Sequence, residues 1–296
     1  MKNLKNLSLL DINSWLEDRL KIDDTISFIA LNPDHNKDAL GFKAWVNLAE
    51  LHYCKLLIPK KISNSEIILT FKKLNQNNSF HTEVIQQKEE KYGVESKFFT
   101  INKNQEPTFL LAYKKALESV KIEEKKEVLN LGVNKADEFE LIRELIGKES
   151  FNKINFKGID HSKTALEYAK RRFPNKNVKF YEHDINTISQ LNLPKADLII
   201  SIGTLQSPDI NYKPFLMSLV QKHLTKNGAL ILGFPNSRWI DRELIYGAKA
   251  PNYNYSEMSL LFNDVIFAKK YLQQKRFRVT ITGREYIFVT ATKINN

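Results

Sequence analysis

Two positions in the stretch Val128 to Asp160 carry the most chemistry in this sequence. Gly132 follows a short apolar run, Val128-Leu129-Asn130-Leu131, and Asp160 ends a second one that closes with Gly158-Ile159. A glycine just after a strand lets the backbone turn tightly and approach a ligand closely. An aspartate at a strand tip accepts hydrogen bonds from ribose hydroxyls. Between the two, Val133 to Ala136 leads into a periodic segment from Asp137 to Ile146. The order is strand, tight turn, helix, strand, with an acid at the second tip. In an open α/β sheet, ligands bind outside the carboxyl ends of the strands. This stretch is therefore a candidate nucleoside site.

The elements that must position these residues follow in regular order. Strands are expected at 128–131, 154–159, 178–181, 197–202 and 229–234, and helices at 137–147, 162–173, 186–191 and 213–224. Such alternation predicts a mostly parallel sheet with helices on both faces. The end of the chain differs. A helix over 256–274 leads into two strand-like runs, Arg276 to Thr282 and Glu285 to Thr292, joined at Gly283 as an antiparallel hairpin on the sheet edge. A helix over Pro107 to Val120, with Pro at its first position, opens this domain at residue 106. Residues 1–105 are patterned more weakly. They predict a helix over Leu9 to Leu20, a strand over Thr25 to Leu31, a helix over Phe42 to Ile58 that Pro59 stops, and a strand over Glu66 to Leu74. We expect an accessory region of mixed α and β here that selects the acceptor.

The composition narrows the class. At 296 residues, with 42% hydrophobic and 27% charged side chains, the chain suits one large or two ordinary domains with a proper core. Asp11 interrupts the first apolar run, so the start reads as an amphipathic helix and not a signal peptide. No run approaches the roughly 18 apolar residues of a membrane span, and the cytoplasm is the expected location. Cys54 is the sole cysteine, which excludes an intrachain disulfide and a multi-thiolate metal site.

Five segments together resemble the class I S-adenosylmethionine-dependent methyltransferases, over about residues 107–296. Asn130-Leu131-Gly132-Val133-Asn134-Lys135-Ala136 is similar to the family's first motif, an acid followed by three alternating glycines. It keeps the first glycine, and Asn130 stands where the family has an acid. Phe156 to Ser162 resembles the second motif, Tyr181-Glu182-His183-Asp184-Ile185 the third, Ala196 to Leu205 the fourth, and Leu224 to Leu232 the turn and fifth strand. The resemblance implies a Rossmann-like, mostly parallel seven-stranded sheet and S-adenosylmethionine as cofactor. It implies a cofactor site from Asn130, Gly132, Asn134, Asp160, His161, Asp184, Ile185 and Gly203. In it Asp160 would hold the ribose, Asp184 the adenine amino group and Ile185 the ring, with Ser162 capping the next helix. A nicotinamide dehydrogenase would need a glycine-rich turn for pyrophosphate. Here Asn134 and Asp137 follow Gly132, and an acid at the helix start repels phosphate.

Methyl transfer from a sulfonium needs proximity and alignment more than acid or base groups, so no triad or metal cluster is expected, and no catalytic residue is assigned. The acceptor side falls to the loops after the fourth and fifth strands, with Thr204, Gln206, Asn236, Arg238, Trp239, Arg242 and Tyr246 as candidates and Pro251 to Tyr255 beyond them. Amide, guanidinium and aromatic groups suit a planar polar or anionic acceptor. Arg238 and Arg242 would share a face if their segment is helical. Net charge is +11. Residues 226–296 carry 11 basic against 5 acidic side chains, a net of +6, and Arg276 and Arg278 alternate with Phe277 and Val279. These features lean toward RNA as acceptor. The alternatives are a small metabolite and a non-catalytic scaffold that keeps the fold.

Overall fold

The computed structural model describes residues 1–83, 88–247 and 258–294. The chain divides into two compact units. Met1–Glu83 and Trp239–Tyr246 form one, and Val84–Arg238 with Gly247–Asn296 form the other. The division falls before residue 84, ahead of the expected boundary at 105/106, and the segment 88–105 belongs with the second unit. The reason is local chemistry. This segment is three short 3-10 turns with no amphipathic face of their own, and their polar groups bond to the second unit.

The first unit is a small sheet covered by two helices. Its strands are β1 (Lys2–Asn3), β2 (Thr25–Leu31), β3 (Cys54–Leu56), β4 (Lys60–Lys61) and β5 (Glu66–Lys73), and its helices are α1 (Leu9–Ile22) and α2 (Phe42–Leu51). The order is β1-β2-β5-β3, with β4 also on β5. Strands β2 and β5 pair antiparallel from Thr25↔Lys72 to Leu31↔Glu66. Alternate residues of β2 are buried, so Ile26, Phe28 and Ala30 face Leu16 of α1 and Trp45 of α2 in one core. The helix expected over Phe42 to Ile58 ends at Leu51. Tyr53 turns through φ 52° and lays Cys54 to Leu56 onto β5 from Cys54↔Lys73. Pairing with a formed neighbour overrides helix propensity there.

The second unit carries a seven-stranded sheet. Its helix α3 (Pro107–Ser119) is followed by β6 (Glu127–Leu131), α4 (Asp137–Phe151), β7 (Asn155–Asp160), α5 (Lys163–Arg172), β8 (Val178–Glu182), β9 (Ala196–Ile202), α6 (Tyr212–Ser218) and β10 (Leu224–Pro235). After the hairpin β11 (Ser237–Ile240) and β12 (Glu243–Tyr246) come α7 (Ser259–Gln274), β13 (Phe277–Gly283) and β14 (Tyr286–Lys293). The sheet order is β13-β14-β10-β9-β6-β7-β8. Strands β6 to β10 run parallel, while β14 is antiparallel to both β10 and β13. Alternate side chains of each central strand enter two cores. Val128, Leu198 and Ile200 face α3, α4 and α5 with Phe139, Phe151 and Phe156. Leu129, Ile199 and Leu230 face α6 and α7. Each fully buried Phe contributes about 1.5–3 kcal/mol, and Phe151 stacks on Phe156 at 4.3 Å between centroids.

Three points in residues 106–296 differ from the sequence reading or add to it. The helix after β9 is α-helical only over Tyr212–Ser218 and widens to a π-helical turn over Leu219–His223. Residues 237–246 form a hairpin, so Arg238 and Arg242 do not share a helical face. Both turn residues, Asp241 and Arg242, have positive φ (47° and 66°), the type I′ geometry that suits the twist of paired strands. Arg276 and Arg278 lie at the amino edge of the sheet. Phe277 pairs with Lys293 there, while Gly283, at the far end of β13, pairs with Ile287 near the ligand edge. A seven-residue strand separates the two ends by about 20 Å. Pro251 to Tyr255 and the first residues of the 256–274 helix lie outside the described residues. Among those described, no helix is long and apolar enough to cross a membrane.

Candidate functional site

The carboxyl ends of β6, β7, β8 and β9 line up at one edge. Past β6, Gly132 (φ 70°) donates its N–H to the Ile159 carbonyl at 2.8 Å, and Val133 donates to the same oxygen at 3.1 Å. A Cβ at Gly132 would lie 2.6 Å from Thr204 Cγ2 and nearer still to Oγ1, so only glycine fits between the tips of β6 and β9. Asn134 and Ala136 also take left-handed backbone, at φ 44° and 64°. Asn tolerates this conformation and Ala resists it by about 1–2 kcal/mol. The turn nonetheless keeps the course of a three-glycine loop, because hydrogen bonds hold it.

Asp160 supplies one of them. Its Oδ2 accepts from the Asn134 N–H at 2.8 Å and its Oδ1 from the Ser162 N–H at 3.0 Å. The side chain is buried, 5% exposed. Burial raises its pKa above the ordinary carboxylate value, against the opposing effect of the Ser162 amide, His161 and the Asn134 amide. Each oxygen keeps a second lone pair. Ser162 caps α5 by accepting from the Ala165 N–H at 3.2 Å, as expected. Asp184, at the end of β8, is exposed and bonds through Oδ1 to Asn186 N and Nδ2, at 2.9 and 3.0 Å. Ile185 beside it is 8% exposed. His161 is exposed, with its ring 6.3 Å from that of Tyr92. Gly203 follows β9 with φ 74°, its N–H bonded to the Gly233 carbonyl at 2.8 Å.

Segment 88–105, which the sequence reading left in the accessory region, is tied to this edge. The Glu90 carboxylate accepts from Ser162 Oγ at 3.1 Å, from Thr164 N–H at 3.4 Å and from the Thr164 hydroxyl. Burial works against its charge, but these hydrogen bonds outweigh it and hold the pKa low. The Tyr92 carbonyl accepts from Asn134 Nδ2 at 2.7 Å. Lys135 Nζ donates to the carbonyls of Phe99 and Ile101, each at 2.7 Å. Asn104 Nδ2 donates to the Asp137 carbonyl at 3.0 Å. Asn134 and Lys135, where the resemblance leads one to expect glycine and an unspecified residue, are thus the anchors of this segment.

The acceptor-side candidates divide between the units. Thr204, Gln206, Asn236 and Arg238 belong to the second unit, whereas Trp239, Arg242 and Tyr246 belong to the first. Thr204 abuts Gly132. Asn236 is fixed by its N–H to the Glu285 carbonyl at 2.7 Å and its Nδ2 to the Arg284 carbonyl at 3.1 Å.

Several buried polar atoms fit a polar ligand at this edge. Asn130 Oδ1 and both Gln206 side-chain heteroatoms are buried without a hydrogen-bond partner, and leaving such groups unmatched costs about 1–3 kcal/mol each. Asn130 is the last residue but one of β6 and Gln206 follows β9, close in sequence to the left-handed Gly132 and Gly203. Together with the carboxylates of Asp160 and Asp184, these unmatched donors and acceptors form a polar set that fits an S-adenosyl nucleoside. Among the described residues, no group of three His, Cys, Asp or Glu could hold a metal.

Comparison with known proteins agrees with this reading of the fold. The family described as a methyltransferase domain matches residues 122–278. No curated protein matches the sequence. Among solved structures, the chain is similar to the plantazolicin methyltransferase BpumL in complex with SAH, at 12% identity and TM-score 0.45, covering 65% of this chain and 87% of that one. It is similar to a S-adenosylmethionine-dependent methyltransferase from Aquifex aeolicus at 18% identity and TM-score 0.41, over 60% and 89% of the two chains. A third, from Listeria monocytogenes, shows 16% identity and TM-score 0.42 over 61% and 98%. The chain belongs to the methyltransferase domain family and has the Rossmann-like sheet of class I S-adenosylmethionine-dependent methyltransferases.

Proposed function

We propose that the second unit transfers a methyl group from S-adenosylmethionine to a small polar acceptor. The observation that carries the donor half is the turn at Gly132. Its left-handed course, bonded to Ile159 and Asp160, opens the tips of β6, β7 and β9 to a nucleoside. When bound, the cofactor supplies a sulfonium methyl that an acceptor lone pair displaces in line, the bonding pair returning to sulfur. Asp160 and Asp184 would orient the nucleoside. Gly203 and Thr204 would leave the approach to the methyl open, and Gln206 would offer an amide to the acceptor. An acceptor that loses a proton on methylation gives it to solvent, since no base is assigned.

A small acceptor is favoured over RNA by charge placement. Arg276 and Arg278, half of the arginine argument for RNA, stand at the amino edge, about 20 Å of strand from the ligand edge. The test is labelled methyl transfer from S-adenosylmethionine into separated RNA and small-molecule extracts. Label in the small-molecule fraction, insensitive to salt, is expected. Label in RNA that falls steeply between 50 and 200 mM salt would show phosphate contacts and move the assignment to RNA.

A further inference from the structure

Asn130 creates a chemical problem at the donor site. A methionine ammonium needs a negative partner, and an amide oxygen offers only a dipole. A carboxylate that the motifs do not include lies beside Asn130. Glu138, the second residue of α4, is 7% exposed and sits 3.5 Å through Oε2 from Asn130 Nδ2. The first turn of a helix favours a negative charge, but burying one is costly without a cation.

That cation comes from segment 88–105. The Lys103 ammonium lies 4.0 Å from where a Cβ on Gly203 would stand. It is 5.4 Å from the Tyr286 ring centroid and 5.7 Å from that of Phe98. Burial works against its charge, yet Tyr286, Glu138 and Asp137 together hold its pKa above the ordinary lysine value. Burial likewise pushes the Glu138 carboxyl up, and Lys103 pulls it back down. The two residues attract each other, but among the described residues neither belongs to an ion pair closer than 4 Å. Opposite charges therefore stand apart at the ligand edge, next to the unpartnered Asn130 Oδ1.

We propose that Lys103 and Glu138 form a clamp for the amino-acid end of the donor, with Lys103 taking the α-carboxylate and Glu138, helped by Asn130 Oδ1, the α-ammonium. This rests on the donor reading above. Lys103 is hydrogen-bonded to Tyr286 and Glu138 to Asn130, and a zwitterion placed between the pair would add a contacting opposite charge to each. The clamp also explains why segment 88–105 is anchored at Asn134, Lys135 and Ser162, since those bonds fix the backbone that carries Lys103.

Titration calorimetry on the full chain tests it with two ligands. S-adenosylhomocysteine has the amino-acid end, and 5′-methylthioadenosine lacks it. Wild type should prefer the first by about 100-fold, as two charge-assisted contacts allow. Lys103→Met and Glu138→Gln should each cost S-adenosylhomocysteine about tenfold and leave 5′-methylthioadenosine within about threefold. Lys103→Arg should restore much of the preference, and melting curves identify any variant that fails to fold. For such a position, Lys103→Gln or Glu138→Asp takes its place. Equal losses for both ligands, or unchanged preference in folded variants, would overturn the clamp and leave a structural pair. Wild type that binds neither ligand would instead overturn the donor reading itself.

Discussion

Replacing Gly132 by Ala tests the turn at the centre of the site. Two costs follow from the structure. The residue holds φ 70°, which costs an L side chain about 1–2 kcal/mol. The new Cβ would also lie 2.6 Å from Thr204 Cγ2 and 2.8 Å from its Cβ, with Oγ1 closer again. No rotation of Thr204 removes its own Cβ, so the tips of β6 and β9 must separate, an overpacking cost of about 1–3 kcal/mol. The total is roughly 2–5 kcal/mol, and at about 2–4 °C per kcal/mol for a domain of this size the melting temperature should fall by roughly 4–20 °C. Calorimetric melts of wild type, Gly132→Ala, Thr204→Ala and the double variant separate the two costs. The double variant loses the Thr204 Oγ1 and Cγ2 contacts but keeps its Cβ, so it should regain part of the overpacking term, a coupling of about 0.5–2 kcal/mol, and keep the backbone term. A Gly132→Ala melt within 1 °C of wild type, or strict additivity in the cycle, would refute the packing of these tips.

Other consequences are as specific. Asp160→Asn keeps one acceptor but points an NH₂ at a backbone N–H, so stability should drop by about 1.5–3 kcal/mol, measured by urea unfolding; no change would mean the Asn134 and Ser162 bonds are not made. Cys54 is 1% exposed and its thiol is pushed up to about 11, burial outweighing the pull of Lys73. It should therefore resist a disulfide reagent at pH 8 until the chain is unfolded; rapid labelling of the native protein would contradict its place in the core. The Glu138 pKa is raised on folding, so the folded state holds its proton more tightly and stability falls as pH rises from the ordinary carboxylate value through the raised one. Relative to wild type, the ligand-free Glu138→Gln protein should gain melting temperature across that window, and a constant difference between pH 4 and 7 would refute the burial of this charge. The Glu90 pKa is lowered, so its contribution runs the other way, present above the ordinary glutamate value and lost as pH falls through the folded one. A Glu90→Gln protein should match wild type most closely at the acid end.

Much of the second unit was legible because its signals are local and repeated. Buried parallel strands read as continuous apolar runs, and β6, β9 and the second half of β10 show them, while Gly132, Asp160 and Ser162 mark turns and caps. The hairpin at Gly283 follows from two apolar runs about a glycine. What escaped depends on distant partners. Cys54 to Leu56 becomes a strand only because β5 is there to pair with. The 237–246 hairpin turns through Asp241-Arg242, which lacks the Asn-Gly signature of a type I′ turn. Segment 88–105 has no periodicity, since its turns are held by Asn134, Lys135, Ser162 and Thr164, far away in sequence. Glu138 left a usable trace. It stands one turn before Leu141 and Ile142 on the buried stripe of α4, where an acid is out of place unless a cation or ligand meets it. Lys103, in a polar stretch of 3-10 turns, left none.

The central claim is that the carboxyl edge of β6 to β9 binds an S-adenosyl nucleoside, and titration of S-adenosylhomocysteine into wild type and Asp184→Ala tests it most directly. Asp184 is exposed and only caps a short turn, so its loss should cost about 1 kcal/mol of stability and leave the fold intact. We expect saturable one-to-one binding by wild type and a tenfold or greater weakening in Asp184→Ala with its melt nearly unchanged. Absence of heat at millimolar ligand, or equal affinity in the two proteins, would contradict the account.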